Sequence, residues 1–82
     1  MSREVDMSDV LARKVVRMLA SHNVEPDIDI ANAMVGQWAA EHGMDDDLEP
    51  GLISAGEKGW IVDGKRLGTI RLTQSGYRAA RS

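Results

Sequence analysis

Cysteine is absent from this sequence of 82 residues. Its absence excludes disulfide bonds, thiolate metal sites and a cysteine nucleophile. Long apolar runs are missing as well. None approaches the roughly 18 residues by which a membrane-spanning helix is recognised, and the first ten residues carry three acids in place of the apolar segment of a secretion signal. We therefore expect a cytoplasmic protein without a membrane anchor.

Positive charge is missing from the middle of the chain. Residues 18–57 contain nine acidic residues and no Lys or Arg, whereas residues 58–82 contain six basic residues and one acid. The net charge of −3 therefore hides an acidic centre and a basic end. This polarity predicts two surfaces of opposite sign.

The composition is otherwise that of a globular protein, with 43% apolar and 28% charged residues. We predict a single domain over residues 8–82, preceded by a flexible arm over residues 1–7, where no regular period is sustained. A domain of this size buries only about 60% of the surface that its unfolded chain exposes, so it is marginally stable and often associates with a partner.

The first predicted helix covers residues 9–22. Ser8 or Asp9 supplies its N-cap. Apolar side chains recur along it with a helical period and predict one buried face. They are Leu11, Val15, Met18 and Leu19.

The second predicted helix covers residues 30–42, after a proline-containing loop or short extended segment whose Asp27 or Asp29 serves as N-cap. Gly43 ends it in the left-handed conformation. Gly36 in its interior costs about 1 kcal/mol relative to alanine, which indicates a close packing neighbour. The predicted inner side chains are Ile30, Met34 and Trp38, supported by Ala31 and Val35.

The third predicted helix covers residues 48–58 and ends at Gly59. Residues 45–47 are three aspartates, which suit the free N–H groups and the positive dipole end of a helix start. Proline is tolerated in the first turn of a helix but not in its interior, so Pro50 is predicted to lie in the first turn. The predicted inner side chains are Leu48, Leu52 and Ala55.

A β-hairpin is predicted next, beginning with a strand over residues 60–62. A tight Asp-Gly turn would set Ile61 opposite Arg66. A loop over residues 63–68 sets Ile61 opposite Ile70, an apolar pair, and is preferred for that reason. This register also divides the second strand into inward residues, Ile70 and Leu72, and solvent-facing residues, Thr69 and Arg71.

The last predicted helix covers residues 74–80. Thr73 caps it, and Gly76 allows a neighbouring element to approach closely. Large aromatic side chains at inward positions usually belong to the core. Those predicted to pack there are Trp38, Trp60 and Tyr77.

Two stretches carry a family resemblance, Gly59-Trp60-Ile61 and Leu72-Thr73-Gln74-Ser75-Gly76-Tyr77. They resemble the winged helix-turn-helix superfamily, in which many bacterial regulators end the recognition helix with Gly-X-Ile and leave the wing with Leu-Thr-X-X-Gly. The resemblance covers roughly residues 9–80. It implies an α+β fold with three helices, a two-stranded β-hairpin wing and a short C-terminal helix. The superfamily includes DNA-binding repressors and modules that bind only proteins.

The first functional hypothesis is a small, dimeric, DNA-associated regulator. The resemblance implies a third helix that enters the major groove and a wing that touches the flanking backbone. The exposed face predicted for helix 3 carries Glu49 and Glu57 and no Lys or Arg, which disfavours groove reading because DNA is densely negative. The basic residues on or near the wing could then bind the DNA backbone weakly. The other interpretation is that they only make the surface soluble. They are Lys58, Lys65, Arg66, Arg71 and Arg78.

The alternative hypothesis is a protein-interaction module that docks a basic partner on the acidic face of helix 3 and binds no nucleic acid. Ile53 lies on that outward face in the assigned helix, where it either contacts a partner or, after a slight rotation of the helix, enters the core. The candidate partner-binding residues are Asp46, Glu49, Ile53 and Glu57.

The sequence contains no recognisable motif for catalysis or metal binding. Residues 45–47 lack the alternating spacing of a calcium loop. His22 and His42 form no paired motif. No serine has a base beside it, and no glycine-rich phosphate loop follows a strand. We therefore expect no enzymatic activity, metal or cofactor.

Overall fold

The computed structural model describes residues 7–82, which form an α+β fold. This part of the chain contains four helices and one three-stranded antiparallel sheet. In chain order the elements are α1 (Met7–Ser21), β1 (Asp29–Ala31), α2 (Asn32–Glu41), α3 (Asp45–Glu57), β2 (Ile61–Asp63), β3 (Thr69–Leu72) and α4 (Gln74–Arg81). The arm predicted over residues 1–7 lies outside the described residues except for Met7, which begins α1. Within residues 7–82, none of the helices has the length and apolar character needed to cross a membrane.

The helix α1 lies at the centre of the helical layer and packs on α3 and α4. Of its predicted inward residues, Val15, Met18 and Leu19 are buried and Leu11 is half-buried. Gly51 of α3 allows α1 and α3 to pack closely where they cross. A Cβ atom there would lie 2.5 Å from Val15 Cγ2 and 2.9 Å from the Leu11 carbonyl oxygen. A side chain at this position would therefore push the two helices apart.

The sheet contains a strand, β1, that the sequence patterns did not predict. It pairs with β3, and this pairing sets Ile30 opposite Ile70 in a sheet of order β1-β3-β2. The placement of Ile30 on the second helix is therefore wrong. A strand of three residues is too short to show a period of two, and a buried isoleucine serves the core equally well from either element.

The helix α2 begins at Asn32, two residues later than predicted. Val35 is buried as predicted and Ala39 is buried too, whereas Met34 is 44% exposed and Ala31 is exposed, so the inward placement of these last two residues is wrong. Trp38 is half-buried against the core.

Two further expectations about α2 are wrong. No aspartate caps it, because the N-cap residue is Ala31 and Asp29 lies in β1. A Cβ atom on Gly36 would meet nothing within 4 Å, so no close neighbour explains this glycine. The end of the helix is as predicted, since Gly43 has a φ of +68°.

The helix α3 begins at Asp45, three residues before its predicted start, and Pro50 therefore lies inside it. The N-cap residue is Met44, and no side chain caps the helix. The three aspartates occupy the first turn, where their charge favours the positive end of the dipole. Gly59, with a φ of +74°, follows the helix as predicted. Of the predicted inward residues, Ala55 is buried and Leu48 and Leu52 are half-buried.

The register of the β2–β3 hairpin differs from the predicted one. Ile61 lies opposite Leu72 instead of Ile70. The connection is shorter than predicted, because the Gly64 N–H donates to the Thr69 carbonyl at 2.9 Å and so continues the ladder. Since the register changes by two residues, the same faces stay inward. Ile61, Ile70 and Leu72 are all buried.

Thr69 was predicted to face solvent but is buried. Its Oγ1 donates to the Arg66 carbonyl at 2.6 Å, which closes the turn from inside. The same hydroxyl would overlap a Cβ atom on Gly64, so the turn requires glycine there.

The helix α4 agrees with the prediction. Thr73 Oγ1 accepts a hydrogen bond from the Gly76 N–H at 3.1 Å, which is the expected N-cap. A Cβ atom on Gly76 would overlap the Trp60 carbonyl oxygen, so glycine permits the close approach. Tyr77 and Trp60 are half-buried against the core.

Candidate functional site

An open groove runs between α3 and the strand β2 and has a volume of about 520 Å³. Two large apolar side chains on its walls are exposed, Ile53 by 58% and Val62 by 47%. The helix and the strand meet near Gly56, where a Cβ atom would lie 3.9 Å from the Ile61 carbonyl oxygen, at ordinary contact distance. The lining residues are Leu52, Ile53, Gly56, Ile61, Val62, Asp63 and Ile70.

Acidic side chains border this groove. The outer face of α3 presents its candidate partner-binding residues at spacings of three and four, so they lie along one side of the helix. All of them are exposed, and Ile53 is the apolar member that also lines the groove. They are Asp46, Glu49, Ile53 and Glu57. Asp63 adds a further acid from β2, and the lining contains no Lys or Arg.

The turn between β2 and β3, which corresponds to the predicted wing and is called the wing below, is built around one carboxylate, that of Asp29. Its oxygens accept hydrogen bonds from the backbone N–H groups of Lys65 and Arg66, both at 3.2 Å, and from Arg71 Nε. The hydrogen bond from Arg71, reinforced by the two backbone donors, holds the pKa of Asp29 below its ordinary value against the opposing effect of burial. The Asp29 side chain is only 11% exposed. A strand acid therefore anchors the wing turn.

This anchor changes what the wing offers to a ligand. Arg71 is 22% exposed and is paired with Asp29, so its charge is largely used inside the protein. Arg66 lies 3.9 Å from the same carboxylate but is 79% exposed. Lys65 is exposed as well, and Leu67 at the tip is fully exposed. Of the predicted phosphate contacts on the hairpin, Lys65 and Arg66 are the two that face solvent.

The predicted contact Lys58 lies on another surface. Its Nζ is 3.3 Å from Asp9 of α1 and 5.4 Å from the centre of a Trp60 ring. The guanidinium group of Arg13 also lies over Trp60, at 5.2 Å from a ring centre. Hydrogen bonds from Arg13 and Lys58 hold the pKa of Asp9 below its ordinary value. Arg78 is exposed on α4. The structure therefore divides the five predicted phosphate contacts among the wing, the end of α3 and α4.

The basic residues of α1 are also engaged away from the wing. Lys14 contacts Asp47 at 3.3 Å, at the start of α3. Arg13 pairs with Asp9 at 3.0 Å, and Arg17 donates to the Ser82 carbonyl at 3.4 Å, after α4. The positive charges of α1 are thus directed towards α3 and α4.

Sequence analysis missed one cluster, formed by His22 and His42. Their Nε2 atoms are 3.1 Å apart, and their rings meet edge to face with centres 5.2 Å apart. The His22 ring stacks on Trp38 at 4.2 Å with an angle of 10°. Within residues 7–82 no group of three or more potential metal ligands is present. The separation of 20 positions along the chain gives no sequence signal for the contact between the histidines.

Comparison of the chain with protein-family models, curated proteins and solved structures finds no match.

Proposed function

We propose that this chain is a winged-helix protein-interaction module that binds a basic, apolar segment of a partner protein in the groove between α3 and β2. The order of three helices, a hairpin and a final helix supports the winged-helix assignment, since the resemblance implies that order. The strand β1 widens the sheet beyond the two-stranded wing.

One observation carries the proposal, the exposure of both Ile53 and Val62 in the lining of one groove that acids border. Burying a large aliphatic side chain contributes about 1.5–3 kcal/mol. Ile53 and Val62 are exposed by 58% and 47%, so a partner can still gain much of that free energy. The occupant that fits is an apolar side chain flanked by Lys or Arg, because an acidic border attracts and orients basic partners.

The charge of α3 favours a protein partner over DNA. Its first turn carries three aspartates, and its outer face adds Glu49 and Glu57. In the winged-helix arrangement this helix would enter a groove between phosphates, which acids oppose. The basic residues of α1 do not extend the wing into a larger positive surface, because they pair with groups on α1, α3 and α4.

A displayed library of random peptides tests this function. We expect the selected peptides to combine an apolar residue with adjacent Lys or Arg, and Ile53→Ser to weaken their binding by about tenfold or more through lost apolar contact. Leu67→Ser is the matched control, because Leu67 is an equally apolar and more exposed residue outside the groove. Selected peptides without basic residues, or with equal affinity for the Ile53→Ser variant, would refute the proposal.

Phosphate contact through the wing is the second candidate function, favoured by the exposure of Arg66 beside Lys65. Backbone contacts by two cations give weak, nonspecific binding whose log K falls with log salt at a slope of about −2. The turn that carries both residues is held in place by Asp29.

Anisotropy of a labelled DNA duplex at low salt tests the second candidate. The double variant Lys65→Ala with Arg66→Ala should abolish binding. Lys14→Ala with Arg17→Ala removes the same two residue types from α1 and should retain it. No binding to any duplex at micromolar protein, or equal losses in both double variants, rejects the candidate.

A further inference from the structure

The ends of α1 and α2 bring two imidazole rings together on the surface of the protein. His22 directly follows α1, and His42 is the C-cap residue of α2. From this juxtaposition we propose that His22 and His42 form a binding site for one transition-metal dication of the zinc and copper type.

The distance between the two nitrogens fits a shared metal ion. Imidazole nitrogens bind Zn²⁺ at about 2.0–2.1 Å. Two nitrogens 3.1 Å apart, each at that distance from one ion, subtend an angle of roughly 100° at the metal. This angle lies between the values of octahedral and tetrahedral coordination. The two nitrogens can therefore occupy neighbouring coordination positions without a change in their separation, once each ring turns its Nε2 lone pair towards the ion.

The surrounding structure fixes the rings and favours positive charge. His22 is stacked on Trp38 at 4.2 Å, which sets its plane. The backbone N–H groups of both histidines bond within their own helix ends, to Leu19 and Trp38 carbonyls at 3.1 and 3.0 Å. Each helix end carries a partial negative charge, so the two ends together favour a cation.

The ion replaces a proton between the rings. In the metal-free protein one Nε2–H donates to the other Nε2 at 3.1 Å. Metal binding needs a free lone pair on both Nε2 atoms, so the donor ring must carry its proton on Nδ1 instead, exchanged through solvent. This change of tautomer releases no net proton.

The ligand set selects the metal. Two imidazoles suit copper, zinc and nickel, whereas Mg²⁺ and Ca²⁺ prefer oxygen ligands. Water completes the coordination, since His42 is exposed and His22 only half-buried. Among divalent ions Cu²⁺ should bind more tightly than Zn²⁺.

Calorimetric titration with ZnCl₂ and with CuSO₄, at about pH 8 where a free imidazole is neutral, tests the proposal. We expect one ion per chain, with His42→Ala weakening binding by at least about tenfold. Asp46→Asn serves as the control for adventitious binding to the acidic start of α3 and should leave the affinity unchanged. Absence of binding, or unchanged affinity in the His42→Ala variant, overturns the proposal.

Ring resonances of the wild-type protein provide a measurement that does not depend on a variant folding. Zn²⁺ should shift the carbon-bound ring proton signals of both His22 and His42 and perturb the indole signals of Trp38 through the stacked ring. Zn²⁺ binding that shifts neither histidine would place the ion elsewhere and overturn the proposal. MgCl₂ at the same concentration should shift none of these signals.

Discussion

Asp29 shows how one side chain can determine the shape of a turn more than 30 residues away. Its carboxylate accepts from the backbone of Lys65 and Arg66 and from the Arg71 side chain. These donors belong to the hairpin, whereas Asp29 belongs to β1. The wing therefore keeps its shape only when β1 is paired with β3.

Replacing Asp29 with Asn should loosen the wing turn. The neutral amide accepts more weakly and cannot pair with Arg71, so the Lys65 and Arg66 amides should exchange with deuterium faster than in the wild type. Asp27→Asn is the control, because Asp27 is exposed and Asn tolerates its φ of +67°. Unchanged exchange at both amides would contradict this role of Asp29.

Two helical glycines should respond in opposite directions to alanine. Gly76→Ala places a methyl group against the Trp60 carbonyl and should lower the free energy of unfolding by about 1–3 kcal/mol. Gly36→Ala enters open space inside α2 and should raise it by about 0.5–1 kcal/mol. Urea denaturation measures both. Effects of the same sign would show that the local space at these two positions is not what decides stability.

Among the elements, α3 departs most from local sequence rules. It contains Pro50 in its sixth position, where proline removes a hydrogen bond to the carbonyl of Asp46 and crowds it. The predicted start at residue 48 would have placed Pro50 in the first turn of the helix, where proline is tolerated. The helix nevertheless extends back to Asp45, because the three acids of its first turn favour the positive end of the dipole. The close packing of Gly51 against α1 also holds this helix in place.

Pro50→Ala should therefore stabilise the protein. The restored hydrogen bond outweighs the greater freedom of the unfolded chain, so we expect a gain of about 1–2 kcal/mol in the free energy of unfolding. Pro26→Ala is the control, since Pro26 lies between α1 and β1, outside any helix, and should not stabilise. A loss of stability in the Pro50→Ala variant would mean that the helix depends on the shape of proline at this position.

For the whole molecule, the depressed pKa values of Asp9 and Asp29 set the response to acid. Each carboxylate is stabilised as an anion in the folded state, so its folded pKa lies below its unfolded one. Its contribution to stability is complete above the unfolded value of about 4 and is lost as the pH falls through the folded value. Stability should thus be flat near neutrality and decline in acid.

Thermal unfolding followed by circular dichroism between about pH 7 and pH 2 measures this response. The Tm should fall below about pH 4, and the decline should be smaller for Asp29→Asn, which removes one of the two linked groups. A Tm that is the same at about pH 3 and pH 7 would contradict the linkage.

Local chemistry was sufficient to predict several features from the sequence. Gly43 and Gly59 have the positive φ expected at helix ends, and Thr73 caps α4. Ile70 and Leu72 were correctly predicted to face the core, although the register used for that prediction was wrong by two residues. Helical spacing left two positions open for Ile53, on the outer face of α3 or in the core after a slight rotation, and the structure places it exposed on the groove wall.

The remaining features depend on contacts between residues far apart in the chain. Ile30 could be placed on β1 only once β3 offered it a partner, and Asp29 lies beside Arg71 only because those strands pair. The groove exists because β2 lies next to α3, and the His22–His42 contact exists because two helix ends converge.

Local sequence was enough to specify the C-terminal ends of α2 and α3, the capping of α4, the inward faces of the hairpin and the separation of acidic from basic residues. These depend on backbone preferences and periodicity, which act within a few residues. The third strand, the carboxylate inside the wing, the groove and the histidine pair depend instead on how distant elements pack together. Periodicity shows which face of an element is buried, but it does not show which distant element covers that face.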